Sequence, residues 1–113
     1  MTKVVLVTGA SSGFGRMMAT DLARAGHIVY ASMRDIVGKN AHTAADIAML
    51  ADRESIDLRA IELDVQDEAS IAAAVDTIIT AQGRIDVCVQ NAGHMVLGPT
   101  EAFTPEQLAQ QYD

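Results

Sequence analysis

The segment Thr8-Gly9-Ala10-Ser11-Ser12-Gly13-Phe14-Gly15 carries the residue types and spacing best suited to chemistry in this chain. Three glycines fall between a continuous apolar run, Lys3-Val4-Val5-Leu6-Val7, and a stretch whose apolar residues recur at helical spacing. A strand that passes through a glycine turn into a helix exposes the helix's first peptide N–H groups, which lack intrahelical partners and carry about half a positive charge. A pyrophosphate docks on such a turn without needing a lysine. Gly9 permits the tight turn, Gly13 lets backbone approach a phosphate, and Gly15 lets the helix pack close to the sheet. The spacing is Gly-x3-Gly-x-Gly, with Ser11 standing where Gly-x-Gly-x-x-Gly would place its second glycine. No Gly-Lys-Ser/Thr follows, which excludes a Walker loop. An ordinary glycine turn is the bland alternative.

The elements that must position this turn alternate strictly. The run at 3–7 reads as a strand buried on both faces. Phe14, Met18, Leu22 and Ala25 define the apolar side of a first helix, stopped by Gly26. Ile28 to Met33 is a second strand, and Ala44, Ile47, Leu50 and Ala51 mark a weaker helix within the polar stretch 34–57. Leu58 to Leu63 alternates in polarity and is less apolar, which places it nearer a sheet edge. Asp67 caps a helix with the face Ile71, Val75, Ile78 and Ile79, ended by Gly83. Ile85 to Val89 is a fourth strand, followed by the turn Asn91-Ala92-Gly93, and Thr104-Pro105-Glu106 starts another helix.

Strands separated by helices of this length imply an α/β fold with a doubly wound parallel sheet, right-handed crossovers and strand order 3-2-1-4. The fourth strand is then an apolar edge without Lys, Pro or a bulge signal. This predicts that residues 1–113 are an incomplete domain, the N-terminal portion of a larger fold; a self-pairing dimer is the alternative.

Composition excludes several function classes. The chain has 113 residues, 15 acidic and 8 basic side chains, and a formal charge of −7. Clustered Lys and Arg are absent and aromatics are only 4%, which argues against nucleic acid as a partner. Half the residues are apolar, which excludes intrinsic disorder, yet no run approaches a membrane span of ~20 residues. The first apolar stretch is shorter than a signal-peptide core, so a cytoplasmic location is expected. Cys88 is the sole cysteine, and His27, His42 and His94 lack ligand spacing, so neither a disulfide nor a metal site is expected. Cys88 reads as a small buried apolar residue, His94 as a turn residue, and Met17-Met18 as helix packing.

Taken together, Thr8 to Gly15, the element Gln90-Asn91-Ala92-Gly93 after the fourth strand, and Asp64 within Leu63-Asp64-Val65 resemble the short-chain dehydrogenase/reductase family. The family writes these as Thr-Gly-x3-Gly-x-Gly, Asn-Asn-Ala-Gly and an acid after the third strand; Gln90 departs from the second pattern. Within the family, the chain resembles the retinol- and steroid-dehydrogenase-like enzymes. The resemblance implies a Rossmann-type fold, a nicotinamide dinucleotide cofactor, a small alcohol or ketone substrate, and homo-oligomers built by later helices. It further implies that Gly9, Ser11, Ser12, Gly13, Phe14 and Gly15 line the cofactor's phosphates and adenosine ribose. Asp64 would accept a hydrogen bond from the adenine amino group, and the Val65 backbone would hold the ring edge. Asn91, Ala92 and Gly93 would pass beside the nicotinamide ribose.

The choice of dinucleotide is made at the end of the second strand. An Asp or Glu roughly 20 residues past the loop binds the ribose 2′-hydroxyl and repels a 2′-phosphate. That position, 18 residues beyond Gly15, holds Met33, and Arg34 follows it. NADP(H) is therefore expected over NAD(H), although Asp35 is placed to compete for Arg34. The family's proton donor is a Tyr four residues before a Lys, with a Ser upstream. Tyr30 has Arg34 at that spacing, Tyr112 lies next to the end, and Lys3 and Lys39 are the only lysines, so no catalytic residue is assigned. The expected function is NADP(H)-dependent hydride transfer with an alcohol or carbonyl substrate, represented here by the cofactor-binding half. A non-catalytic dinucleotide sensor or inactive remnant is the runner-up. A methyltransferase using S-adenosylmethionine is disfavoured because Met33 replaces the acid it usually needs.

Overall fold

A computed structural model of the chain describes residues 2–90 and the backbone of 94–97. Its elements are β1 (Val4–Val7), α1 (Gly13–Arg24), β2 (Ile28–Met33), α2 (Ala41–Glu54), β3 (Leu58–Glu62), α3 (Glu68–Gln82), β4 (Val87–Gln90) and β5 (His94–Leu97). The sheet order is β3-β2-β1-β4-β5. The first four strands pair in parallel, in the 3-2-1-4 order expected from the alternation of strands and helices.

All four residues of β1 are buried because the strand is covered on both faces. Successive side chains alternate between the faces. Val5 and Val7 join Val29, Ala31, Met33 and Val89 against Ala19 and Ala23 of α1 and Ile47 of α2. Val4 and Leu6 join Tyr30 and Cys88 against Ile71, Ala74 and Ile78 of α3. Each face buries its own apolar set, so a one-residue slip in β1 would exchange the sets and misfit both helical layers.

The helix caps follow the sequence. Asp67 caps α3 by accepting the Ala69 N–H at 3.0 Å, and Gly83 ends that helix at φ 82°. Gly26 ends α1 at φ 99°. At the sheet's other end, Asp86 Oδ2 accepts the Val4 N–H at 2.8 Å and ties the start of β1 to the approach of β4.

Three expectations are corrected. His94, read as a turn residue, is the first residue of β5. The buried side of α1 is Gly15, Ala19, Thr20 and Ala23, with Met18 and Leu22 at its margin, while Phe14 is 61% exposed and Ala25 is exposed. Small residues face the sheet because they let the helix axis approach it, so apolar spacing alone marked the face one residue off. The fourth strand is also not an edge: β5 pairs with it antiparallel, Gln90 opposite His94. An antiparallel neighbour needs only a short connection, whereas a parallel one needs a crossover, and the returning chain pairs the backbone groups that β4 would otherwise present. The helix expected from Pro105 lies outside the described residues.

Candidate functional site

A cleft of about 610 Å³ opens at the C-terminal ends of β1, β2 and β3. Its walls come from the turn after β1 (Gly9, Ser11), the end of β2 (Met33, Arg34, Asp35), Lys39 and Asn40 before α2, and the segment 62–65 after β3. This is where open parallel sheets bind ligands, and the volume lies within the ~300–1,000 Å³ of small-molecule pockets. Of the residues singled out in the sequence, Gly9, Ser11, Arg34, Asp64 and Val65 thus meet at one place. Ser12, Gly13, Phe14 and Gly15 continue the same turn into α1. Asn91, Ala92 and Gly93 lie outside the described residues.

The turn is held rigidly. Thr8, buried in the sheet, donates its N–H to Val89 O at 2.9 Å, and Ala10 N–H donates to Ser32 O at 2.9 Å. Gly9 and Gly13 both sit at φ 62°, in the left-handed region that glycine enters without steric cost. Gly15 serves a different need: a Cβ there would lie 2.5 Å from Gly9 O. A Cβ on Gly13 would meet nothing within 4 Å, so the backbone there faces open space. Ser12, the N-cap of α1, makes no side-chain cap bond, and the first turn holds no acid. The helix therefore presents uncapped N–H groups beside an open glycine backbone, which fits a phosphate group.

At the end of β2, Met33 is buried and Arg34 exposed. Asp35 does not take Arg34: its Oδ2 accepts the Lys39 N–H at 2.9 Å. Among the described residues, the Arg34 guanidinium has neither an ion pair nor a hydrogen bond. Glu62 accepts the N–H groups of Asp35 and Ile36 at 2.9 and 2.8 Å through its two oxygens. Of the three acids lining the cleft, Glu62 is committed to backbone N–H groups through both oxygens and Asp35 through one.

Asp64, the third acid, receives the Gln66 N–H on Oδ1 at 3.0 Å, while its own N–H donates to Ser70 Oγ at 2.8 Å. Its Oδ2 carries no bond among the described residues and remains open to a donor. Because Asp67 caps α3, Asp64 is not needed as the cap. Lys39, Asn40 and Glu62 escaped the sequence reading as site residues. The turn signal Gly38-Lys39-Asn40 marks a loop beside β2, but the adjacency of β3 that brings in Glu62 is tertiary.

Elsewhere, Tyr30 is buried and its hydroxyl accepts from Arg59 and Gln82, each at 3.1 Å. Cys88 is buried in the sheet, and burial pushes its thiol up to about 12. Among the described residues, no group of three His, Cys, Asp or Glu could hold a metal ion, and no helix is long and apolar enough to cross a membrane.

The sequence model described as short chain dehydrogenase matches residues 3–113. The chain belongs to the short-chain dehydrogenase family. Members of this family bind a nicotinamide dinucleotide. Among the relatives of this short-chain dehydrogenase chain, a 3-ketodihydrosphingosine reductase of Bacteroides thetaiotaomicron is 37% identical over 96% of the chain and 35% of its own length. The 17-beta-hydroxysteroid dehydrogenase type 1 of Homo sapiens is 39% identical over 97% of the chain and 33% of its own length. The chain thus spans about a third of the length of these curated relatives. In three dimensions it resembles menthone neomenthol reductase from Mentha piperita, at TM-score 0.69 and 34% identity, covering 83% of the chain and 32% of that protein. It also resembles an actinorhodin polyketide ketoreductase variant solved with NADPH, at TM-score 0.69 and 29% identity, covering 82% of the chain and 34% of that protein.

Proposed function

We propose that residues 1–113 are the dinucleotide-binding part of an NADP(H)-dependent oxidoreductase acting on an alcohol or carbonyl carbon. The bound nicotinamide supplies or accepts the hydride. In this reading, Gly9, Ser11, Ser12, Gly13, Phe14 and Gly15 line the phosphates and the adenosine ribose, and the uncapped N–H groups at the start of α1 face the pyrophosphate. Asp64 Oδ2 accepts from the adenine amino group, the Val65 backbone holds the ring edge, and Asn91, Ala92 and Gly93 border the nicotinamide ribose. The reductase and dehydrogenase names of the relatives support the substrate class, and the ketoreductase solved with NADPH supports the cofactor class.

The observation that carries the preference is the end of β2. A carboxylate selecting the ribose 2′-hydroxyl would stand at Met33, and instead a guanidinium follows at Arg34, on the wall of the cleft and without an ion pair among the described residues. The nearby carboxylates of Asp35 and Glu62 bind backbone N–H groups and do not compete for that cation. A charge-assisted bond from Arg34 to a 2′-phosphate contributes ~1.5–3 kcal/mol, or about 10- to 150-fold in affinity. Arg34→Ala should therefore weaken NADPH binding by that factor and leave NADH nearly unchanged, while Met33→Asp reverses the preference. Equal NADPH and NADH dissociation constants in the unmutated protein would defeat the proposal.

A further inference from the structure

Arg34 is not the only cation on the wall of the cleft: Lys39, one of two lysines in the chain, lines it as well. The intervening turn is fixed by side-chain hydrogen bonds to its backbone. Glu62 reaches across from β3 to accept the N–H groups of Asp35 and Ile36, and the Asp35 carboxylate accepts the N–H of Lys39 itself. The Asn40 side-chain amide donates to the Arg34 carbonyl. Gly38 N–H and Asn40 N–H both donate to Asp35 O, at 3.2 and 2.9 Å.

This fold of the turn depends on residue type. Asp35 stands at φ 52°, a conformation aspartate tolerates better than most residues. A Cβ at Gly38 would lie 2.6 Å from Asp35 Oδ1, so the carboxylate tucks beneath the turn only because position 38 has no side chain. The turn thereby holds the backbone of Lys39 in a set relation to Arg34. In a chain with 15 acids and 8 bases, the Lys39 ammonium nonetheless has no carboxylate partner among the described residues. Two cations without an ion-pair partner among the described residues, on one hydrogen-bonded turn whose acids Asp35 and Glu62 accept backbone N–H groups, suit a dianion.

We propose that Lys39 is a second specificity-determining residue, sharing the dinucleotide's 2′-phosphate with Arg34. The proposal rests on the NADP(H) reading above and adds to it a residue and a preformed turn. The strong desolvation that weakens many buried ion pairs is absent here, because Lys39 is exposed and the phosphate would remain near solvent.

Calorimetric titration of the full chain with 2′,5′-ADP and with 5′-AMP tests it, since the two probes differ only in the 2′-phosphate. Lys39→Met should weaken 2′,5′-ADP about fivefold to tenfold and leave 5′-AMP unchanged. Lys39→Arg should retain the affinity. If Lys39→Met leaves 2′,5′-ADP unaffected while Arg34→Ala weakens it, the role of Lys39 is overturned and the cofactor reading stands. If Lys39→Met weakens both probes equally, Lys39 acts on the whole site and the proposal is overturned. If the unmutated chain binds 2′,5′-ADP no tighter than 5′-AMP, the cofactor reading itself fails and the role of Lys39 falls with it.

Discussion

Replacing Gly15 with alanine tests whether the site depends on how closely α1 approaches the turn after β1. The added Cβ would lie 2.5 Å from Gly9 O, 3.2 Å from Gly9 C and 3.3 Å from Ala10 Cα, all of it backbone that no rotamer change can move. Reaching the 3.4 Å of ordinary contact requires about 0.9 Å of relative movement between helix and turn. Overpacking of this kind costs ~1–3 kcal/mol, and the better helix propensity of alanine returns ~1 kcal/mol. The net loss of ~0–2 kcal/mol lowers Tm by at most about 8 °C. Binding should suffer more than folding. A displacement near 0.9 Å breaks an amide–phosphate hydrogen bond of ordinary length, and such a bond to a charged group is worth ~1.5–3 kcal/mol, about 10- to 150-fold in Kd. Thermal melting and NADPH titration of the full Gly15→Ala chain measure the two effects. Gly26→Ala is the control, because its φ of 99° imposes strain with nothing within 4 Å, at the far end of α1. It should destabilise by ~1–2 kcal/mol and leave NADPH binding intact. If Gly15→Ala melts and binds as the unmutated chain does, the close-approach reasoning is wrong.

Two further predictions concern ionisable groups. The Val4 hydrogen bond, followed among the lowering influences by Arg84, holds the Asp86 carboxyl below its ordinary value. Its contribution to stability is present above the unfolded value of about 4 and is lost as pH falls through the lower folded value. Asp86→Asn should therefore lower urea stability at neutral pH, with the difference vanishing on acidification, and a pH-independent difference would contradict this. Burial raises the Cys88 thiol to about 12, so a thiol reagent should leave it unmodified in the folded chain and label it once urea unfolds the protein. Full labelling of the folded chain would show that the thiol is not sealed between the helical layers.

The order of elements and most of the glycine turn were legible in the sequence because they follow from local rules. A both-sides-buried β1 appears as an unbroken apolar run, Asp67 and Gly83 bracket α3 through their own backbone chemistry, and Gly9 and Gly13 mark conformations that few other residues enter. The absence of an acid at Met33 is likewise visible without coordinates. The inward side of α1 was not legible, because it is chosen by how near the helix can come to the sheet, which favours Gly15, Ala19 and Ala23 over the larger Phe14. Pairing of β5 with β4 was equally hidden, since a short strand gains its stability from the neighbour it covers. The fate of the charges was decided only in three dimensions. Asp35 sits next to Arg34 in the chain yet bonds Lys39 N–H, and Glu62, 27 residues beyond Asp35, closes the turn because β3 lies beside β2. Sequence fixes which charges exist, but a carboxylate binds whichever donor the fold brings within hydrogen-bonding distance, and that is a property of strand neighbours rather than of chain neighbours.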